Sequence, residues 1–101
     1  MAISVETVND RNLSILLGER FDFSEVGSFR AQYESLKNTQ NKIVSIDFKN
    51  TRYMDSSALG MLLNAKAYLS KSNSSVRLIN TNDQIRKIFA ISRFDQKFDI
   101  S

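Results

Sequence analysis

Residues 43–63 read Ile-Val-Ser-Ile-Asp-Phe-Lys-Asn-Thr-Arg-Tyr-Met-Asp-Ser-Ser-Ala-Leu-Gly-Met-Leu-Leu, and this stretch decides the fold. Residues 43–48 are mostly β-branched and apolar, which predicts a central strand that is covered on at least one face. Residues 49–54 are predicted as a loop. From Ser56 onward the apolar positions have helical spacing, which predicts a helix that ends near residues 71–73. The residues with this spacing are Leu59, Leu62, Leu63, Lys66 and Leu69.

The segment before this stretch predicts a hairpin and a first helix. Residues 3–8 and 13–17 have the composition and alternation of strands, and Asn9-Asp10-Arg11-Asn12 between them is typical of a turn. Gly18 closes the second strand and opens a loop over residues 18–23. Ser24 is predicted to cap a helix that fades near residues 38–41. Its apolar face is predicted from the spacing of Val26, Phe29, Tyr33 and Leu36.

The segment after the second helix predicts a strand over residues 76–79 and a third helix. One of Asn80, Thr81 and Asn82 caps that helix, and residues 94–100 can add a short last element. The resulting order is β-β-α-β-α-β-α, and strand-helix-strand units of this kind imply parallel pairing with right-handed crossovers. We therefore expect one domain over residues 1–101. It belongs to the α/β (α+β) class, with a small mixed sheet of about four strands and helices packed on it.

The composition argues against most catalytic chemistry. The chain has no cysteine and no histidine, which removes disulfides, thiolate nucleophiles, Cys/His metal sites and Ser-His-Asp triads. The acidic residues show no calcium-loop spacing, and no glycine-rich nucleotide motif occurs. We therefore predict no catalytic residue, no metal and no cofactor, and we predict that the chain is not an enzyme.

The charge pattern bears on the partners. A net charge of +3 is compatible with binding to nucleic acid. However, the basic residues are scattered, and Arg86-Lys87 is their densest group, so we interpret the charge as solvated surface and expect no nucleic acid partner. No apolar run approaches the roughly 20 residues that span a bilayer, and no signal-peptide pattern is present at the N-terminus. We therefore expect a cytoplasmic protein without a membrane contact.

The junction at residues 55–57 is the most informative place for function. Asp55, Ser56 and Ser57 lie together at a predicted helix N-terminus, where the first N–H groups lack backbone partners. Asp55 or Ser56 can simply cap the helix. The same helix end would tolerate a phosphate, and a phosphate on Ser56 would add roughly −1.5 to −2 charges in the path of a docked partner. The residues alone leave both interpretations open.

The run from Met54 to Leu63 resembles the signature of the STAS-domain family, and more narrowly that of the bacterial anti-sigma-factor antagonists, or anti-anti-sigma factors. In that family an Asp-Ser-Ser-(Gly or Ala)-Leu-Gly run opens the helix after the third strand. Leu17-Gly18-Glu19 followed by Phe21-Asp22 is similar to the family's Gly-Glu-Leu-Asp turn, with one additional residue before the aspartate. Residues 85–94 resemble the family's late helix and the turn after it. The resemblance implies the STAS fold.

The resemblance also implies roles for individual residues. Ser56 corresponds to the phosphorylated serine of the family. Asp55 and Ser57 are expected to support the acceptor or contact the kinase, or else to serve only as cap and first-turn residue. Asp22 is expected beside the serine, where it shapes the partner surface or is a plain turn residue. One of Phe21 and Phe23 is expected in the core and the other at the surface as an interface anchor, and the sequence does not decide which.

The implied function is partner switching in signal transduction. Unphosphorylated protein would bind an anti-sigma factor, often also a serine kinase, and so free a sigma factor for transcription. Phosphorylation of Ser56 would block this binding, and a PP2C-type phosphatase would restore it. The chain would be a phosphoprotein that acts as a monomer or weak dimer. The alternative is a non-switching STAS interaction module in a larger regulatory or transport assembly, with Ser56 only a helix cap.

Overall fold

The computed structural model describes residues 3–36 and 40–101. The strands are β1 (Ser4–Thr7), β2 (Asn12–Leu16), β3 (Arg20–Phe21), β4 (Ile43–Asp47), β5 (Tyr53–Met54), β6 (Ser75–Ile79) and β7 (Asp99–Ile100). The helices are α1 (Val26–Glu34), α2 (Ser56–Ser70) and α3 (Asp83–Ile91), and short 3₁₀ turns span Phe23–Glu25 and Phe94–Gln96. Among the described residues, no helix has both the length and the apolar character that crossing a bilayer requires.

The main sheet has five strands in the order β1-β2-β4-β6-β7. β1 is antiparallel to β2, and the other neighbours are parallel. The alternate positions of the inner strands are buried in one core together with the inward sides of the helices. These strand positions are Leu13, Ile15, Val44, Ile46, Val76 and Leu78. The predicted mixed α/β fold with a central strand over residues 43–48 is confirmed.

A chain of aromatic side chains runs through the core. Phe29 of α1 meets Phe21 at 5.0 Å between ring centres, and Phe21 meets Phe48 at 6.2 Å. Phe48 in turn meets Phe89 of α3 at 5.6 Å. All these contacts are edge-to-face, the arrangement that the ring quadrupole favours. Phe21 therefore anchors the short strand β3 to the middle of the molecule.

The structure adds strands that the sequence pattern does not reveal. The predicted loops over residues 18–23 and 49–54 contain β3 and β5, which pair in parallel as a separate two-stranded sheet. Each has only two residues, too few for any alternation to be visible. The prediction of about four strands in the sheet is also too low, because β7 pairs with β6 at the edge.

The first helix differs from its prediction at both ends. Ser24 is not its cap: Asp22 caps the preceding 3₁₀ turn, and Glu25 stands at the start of α1 without a side-chain cap. The physical reason is that Asp22 has extended backbone, so its carboxylate can turn back to the N–H of Ser24. α1 ends at Glu34, and of the predicted fading region, residues 38 and 39 lie outside the described residues.

Two positions predicted on apolar helix faces are partly exposed. Val26 is 40% exposed and Leu63 is 38% exposed. In α2 the buried arc is set by Ala58, Leu62 and Ala65, and Leu63 is rotated by about 100° from Leu62, which carries it to the edge of that arc. Val26 at the start of α1 and Leu63 at the edge of the buried arc of α2 are therefore accessible at the surface.

Candidate functional site

The candidate site is built on the small parallel sheet of β3 and β5. Arg20 pairs with Tyr53, and Phe21 pairs with Met54. Phe21 and Met54 point into the core, where they are 0% and 7% exposed. Their burial holds the two strands side by side, so the segments that follow them begin at neighbouring positions.

A buried threonine fixes the loops that lead into this sheet. The Thr51 hydroxyl donates to the carbonyl of Gly18 at 2.8 Å, and this bond joins the approach to β5 with the approach to β3. The side-chain amide of Asn82 donates to the Thr51 carbonyl at 3.2 Å, which adds the start of α3 to the same network. Asn82 also caps α3, because its Oδ1 accepts from the N–H of Ile85 at 2.8 Å.

Each of the two short strands is followed by an Asp-Xxx-Ser segment with the same hydrogen bonds. Asp22 Oδ1 accepts from the Ser24 N–H at 3.1 Å and from the Ser24 hydroxyl at 2.5 Å. Asp55 Oδ1 accepts from the Ser57 N–H at 3.0 Å and from the Ser57 hydroxyl at 2.5 Å. The predicted capping of the second helix by Asp55 is confirmed, and α2 begins at Ser56 as predicted.

The two segments are joined to each other. The N–H of Phe23 donates to Asp55 Oδ2 at 3.4 Å, a long bond that crosses from the first segment to the second. This bond places the backbone of Phe23 next to the cap of α2, one residue before Ser56. Asp22 is far from Asp55 and Ser56 along the chain, but this bond brings its segment into the same site.

The structure decides between the two phenylalanines. Phe21 is fully buried, and Phe23 is 70% exposed. Ser56 is exposed as well, and among residues 3–36 and 40–101 its hydroxyl makes no hydrogen bond. The site therefore presents an exposed serine hydroxyl and, on the segment bonded to Asp55, an exposed aromatic ring.

Both aspartates are held in their charged form. The pKa of Asp55 is lowered chiefly by the hydrogen bond from the Ser57 hydroxyl, which outweighs the opposing effect of desolvation. The pKa of Asp22 is lowered chiefly by the hydroxyl of Ser24, again against desolvation, with further help from Arg20. Asp55, directly before the exposed serine, and Asp22, in the neighbouring segment, are thus both charged at neutral pH.

Arg20 and Tyr53 are site residues that the sequence analysis missed. Arg20 Nε donates to Asp22 Oδ2 at 3.2 Å, and its guanidinium carbon lies 4.4 Å from the centre of the Tyr53 ring. Tyr53 lies in the segment that the sequence predicts as a loop, and it is 44% exposed. The pair is created by the register of β3 with β5, and no spacing along the chain could have signalled it.

Comparison with known proteins identifies the family. The family described as "Mlab, STAS domain" matches residues 6–100. A STAS-domain-containing protein of Pseudomonas aeruginosa (strain UCBPP-PA14) is 40% identical over 102 residues, which cover 100% of this chain and 100% of that protein.

Solved structures agree with this at the level of the fold. The anti-sigma factor antagonist SpoIIAA in its unphosphorylated form is 22% identical, with a TM-score of 0.73 over 99% of this chain and 87% of that chain. SpoIIAA of Bacillus in the phosphorylated form is 23% identical, also with a TM-score of 0.73, over 99% of this chain and 91% of that chain. A sulfate transporter family protein from Wolinella succinogenes is 11% identical, with a TM-score of 0.78 over 91% of this chain and 75% of that chain. The chain therefore has a known fold and belongs to the STAS-domain family.

Proposed function

We propose that this chain is an anti-sigma-factor antagonist that is switched by phosphorylation of Ser56. The observation that carries the proposal is the exposed hydroxyl of Ser56, which has no hydrogen-bond partner among the described residues. Ser56 directly follows Asp55, whose carboxylate accepts from the N–H of the exposed Phe23. The likeness to SpoIIAA, whose structures include a phosphorylated form, supports it. The chain would act as a binding module, and catalysis would belong to its partners, a serine kinase and a PP2C-type phosphatase.

The geometry favours Ser56 over Ser57 as the acceptor. The Ser57 hydroxyl donates to Asp55 at 2.5 Å, and this bond helps to hold the cap of α2 together. A kinase that modified Ser57 would have to break this bond and place the phosphate against a carboxylate. Phosphorylation of Ser56, one residue earlier, would break no such bond, because this residue is exposed and its hydroxyl does not bond to the carboxylate.

The same geometry explains how a phosphate would block binding. An exposed aromatic side chain is the kind of residue that fills an apolar pocket on a partner. A phosphate on Ser56 would put roughly −1.5 to −2 charges beside Phe23 and oppose the desolvation of that pocket. A coupling free energy of about 3 kcal/mol is sufficient, because each 1.4 kcal/mol changes affinity tenfold.

In the proposed pathway the unphosphorylated chain binds an anti-sigma factor or its kinase and frees a sigma factor for transcription. This places the protein in the cytoplasm, where sigma factors act, as a monomer or weak dimer. Phosphorylation of Ser56 ends the interaction, and the phosphatase restores it. The carboxylates of Asp22 and Asp55 and the ring of Phe23 would form the contact surface around the acceptor.

Phosphate mapping tests the acceptor assignment. The protein is recovered from cells that express it natively, treated with phosphatase or left untreated, and examined by intact and peptide mass spectrometry. We expect one phosphate, located on Ser56, which disappears in Ser56→Ala and persists in Ser57→Ala. Phosphate on another residue, with none on Ser56, would refute the assignment.

Partner capture tests the switch. Ser56→Ala should retain an anti-sigma factor from a native lysate, and Ser56→Asp should retain much less of it. Ser70→Ala is the matched control, because it removes an exposed serine at the far end of α2 and leaves the acceptor and its surroundings intact. Equal retention by Ser56→Ala and Ser56→Asp would contradict the switch.

A second candidate function is that of a non-switching STAS module in a larger assembly. The match to the family described as "Mlab, STAS domain" and the likeness to a sulfate transporter family protein favour it. On this alternative, Ser56 is only the first residue of α2. A constitutive complex whose size and stability are the same with Ser56→Ala and Ser56→Asp would support the second candidate over the first.

A further inference from the structure

We infer that Arg20 is the residue that binds the phosphoryl group of phosphorylated Ser56. This inference deepens the proposed function and rests on it for its biological meaning. The Arg20 guanidinium, which packs against the Tyr53 ring, would donate hydrogen bonds to the phosphate oxygens.

The first step is the availability of the guanidinium. Arg20 uses Nε for Asp22, and among the residues that the structure describes its two Nη groups have no hydrogen-bond partner. Its side chain is 63% exposed, so those groups face solvent. An arginine can bind a phosphate through two parallel N–H donors, and both of these donors are free here.

The second step is the position of the guanidinium. Arg20 lies opposite Tyr53, but its side chain extends forward along the strand to Asp22. Asp22 and Asp55 directly follow the paired strands, and the N–H of Phe23 joins the two segments by donating to Asp55 Oδ2 at 3.4 Å. Ser56 is the next residue after Asp55. Paired strands lie roughly 4.8 Å apart and one residue step is roughly 3.8 Å. We therefore expect the backbone of Ser56 within about 10 Å of that of Asp22, whose carboxylate Arg20 contacts. A phosphoserine and a rotating arginine side chain together span that distance.

The third step is the balance of charge. In the unphosphorylated protein Arg20 contacts one carboxylate, at 3.2 Å. The phosphate would bring roughly −1.5 to −2 charges and three acceptor oxygens close to Asp55, another anion. The guanidinium would be drawn from Asp22 to the phosphate because the phosphate has the greater charge and accepts two bonds. The guanidinium can stay over the Tyr53 ring while its N–H groups turn from Asp22 to the phosphate, because the ring face attracts the cation in either orientation.

The consequence is a change of surface beyond Ser56 itself. Asp22 would lose its cation, and the segment that carries Phe23 would lose one of its tethers. Phosphorylation would thus alter the charge around Phe23 by two routes, through the added phosphate and through the uncovered carboxylate of Asp22.

The test uses full-length protein with phosphoserine placed at position 56 by genetic code expansion. The second pKa of the phosphate is measured by ³¹P NMR titration in the parent, Arg20→Ala and Arg52→Ala. Arg52→Ala is the matched control, since it removes an exposed arginine adjacent to Tyr53 that has no ion pair among the described residues. The Nε–H signal of Arg20 is followed with and without the phosphate.

We expect the second pKa of the phosphate to rise by about half a unit or more in Arg20→Ala, because an adjacent cation favours the dianion. Arg52→Ala should change it by less than half as much, and phosphorylation should shift the Arg20 Nε–H signal. Equal changes of the phosphate pKa in the two variants, or an Arg20 Nε–H signal that does not shift on phosphorylation, would overturn the inference.

Because the phosphoserine is installed during synthesis, this result does not depend on whether cells phosphorylate Ser56. Failure of the phosphate mapping would therefore remove the proposed function without touching the measured contact, and failure of the titration would remove only the role of Arg20.

Discussion

Replacement of Phe23 by alanine separates the binding role of this residue from any role in folding. Phe23 is 70% exposed, so roughly three tenths of its surface is covered in the folded chain. Full burial of such a side chain is worth about 1.5–3 kcal/mol, so its loss should lower the free energy of unfolding by about 0.5–0.9 kcal/mol. An aromatic anchor in an interface costs about 2 kcal/mol or more when truncated, which is about a 30-fold loss of affinity.

The assay combines urea unfolding with calorimetric titration of the partner captured by Ser56→Ala. We expect Phe23→Ala to remain folded and to bind at least 30-fold more weakly. The matched control is Ile91→Ala, which removes an apolar side chain that is 83% exposed at the far end of α3. If Phe23→Ala binds within twofold of the parent, or if Ile91→Ala loses as much affinity, the assignment of Phe23 as anchor is wrong.

Further predictions concern the scaffold of the site. Thr51→Val should lower the free energy of unfolding by about 1–3 kcal/mol, because it leaves the Gly18 carbonyl without its buried donor; an unchanged urea midpoint would contradict this. Gly60→Ala should raise that free energy by about 0.5–1 kcal/mol, since an added Cβ meets nothing within 4 Å on α2, and a lower urea midpoint would refute it. The lowered pKa of Asp55 stabilises the fold above the unfolded value of about 3.9. The free energy of unfolding of the parent should therefore exceed that of Asp55→Asn by its full amount at neutral pH. This difference should shrink as the pH falls below about 4 and through the pKa of the folded protein. A difference that does not change with pH in urea unfolding would count against this.

The main elements of the fold could be predicted from the sequence because their signals are local. The alternation of Leu13, Ile15 and Leu17, the apolar run over residues 43–48 and the helical spacing after Ser56 all survive in the structure. Asp55 is followed directly by that helical pattern, so its capping role was also readable. The two-residue strands and the cap of the first helical turn could not be predicted, because no periodicity exists over so few residues.

The sequence by itself determined the class of the fold and the start of α2 at Ser56, since both depend on neighbours in the chain, and only the family resemblance singled out Ser56 as a candidate acceptor. Only the tertiary structure decided that Phe21 is buried while Phe23 protrudes, and that Arg20 rests on Tyr53. The physical reason is that both outcomes depend on the parallel pairing of β3 with β5, which joins residues 33 positions apart along the chain. Which of two similar side chains faces the core is set by that register, and register is a property of the folded molecule.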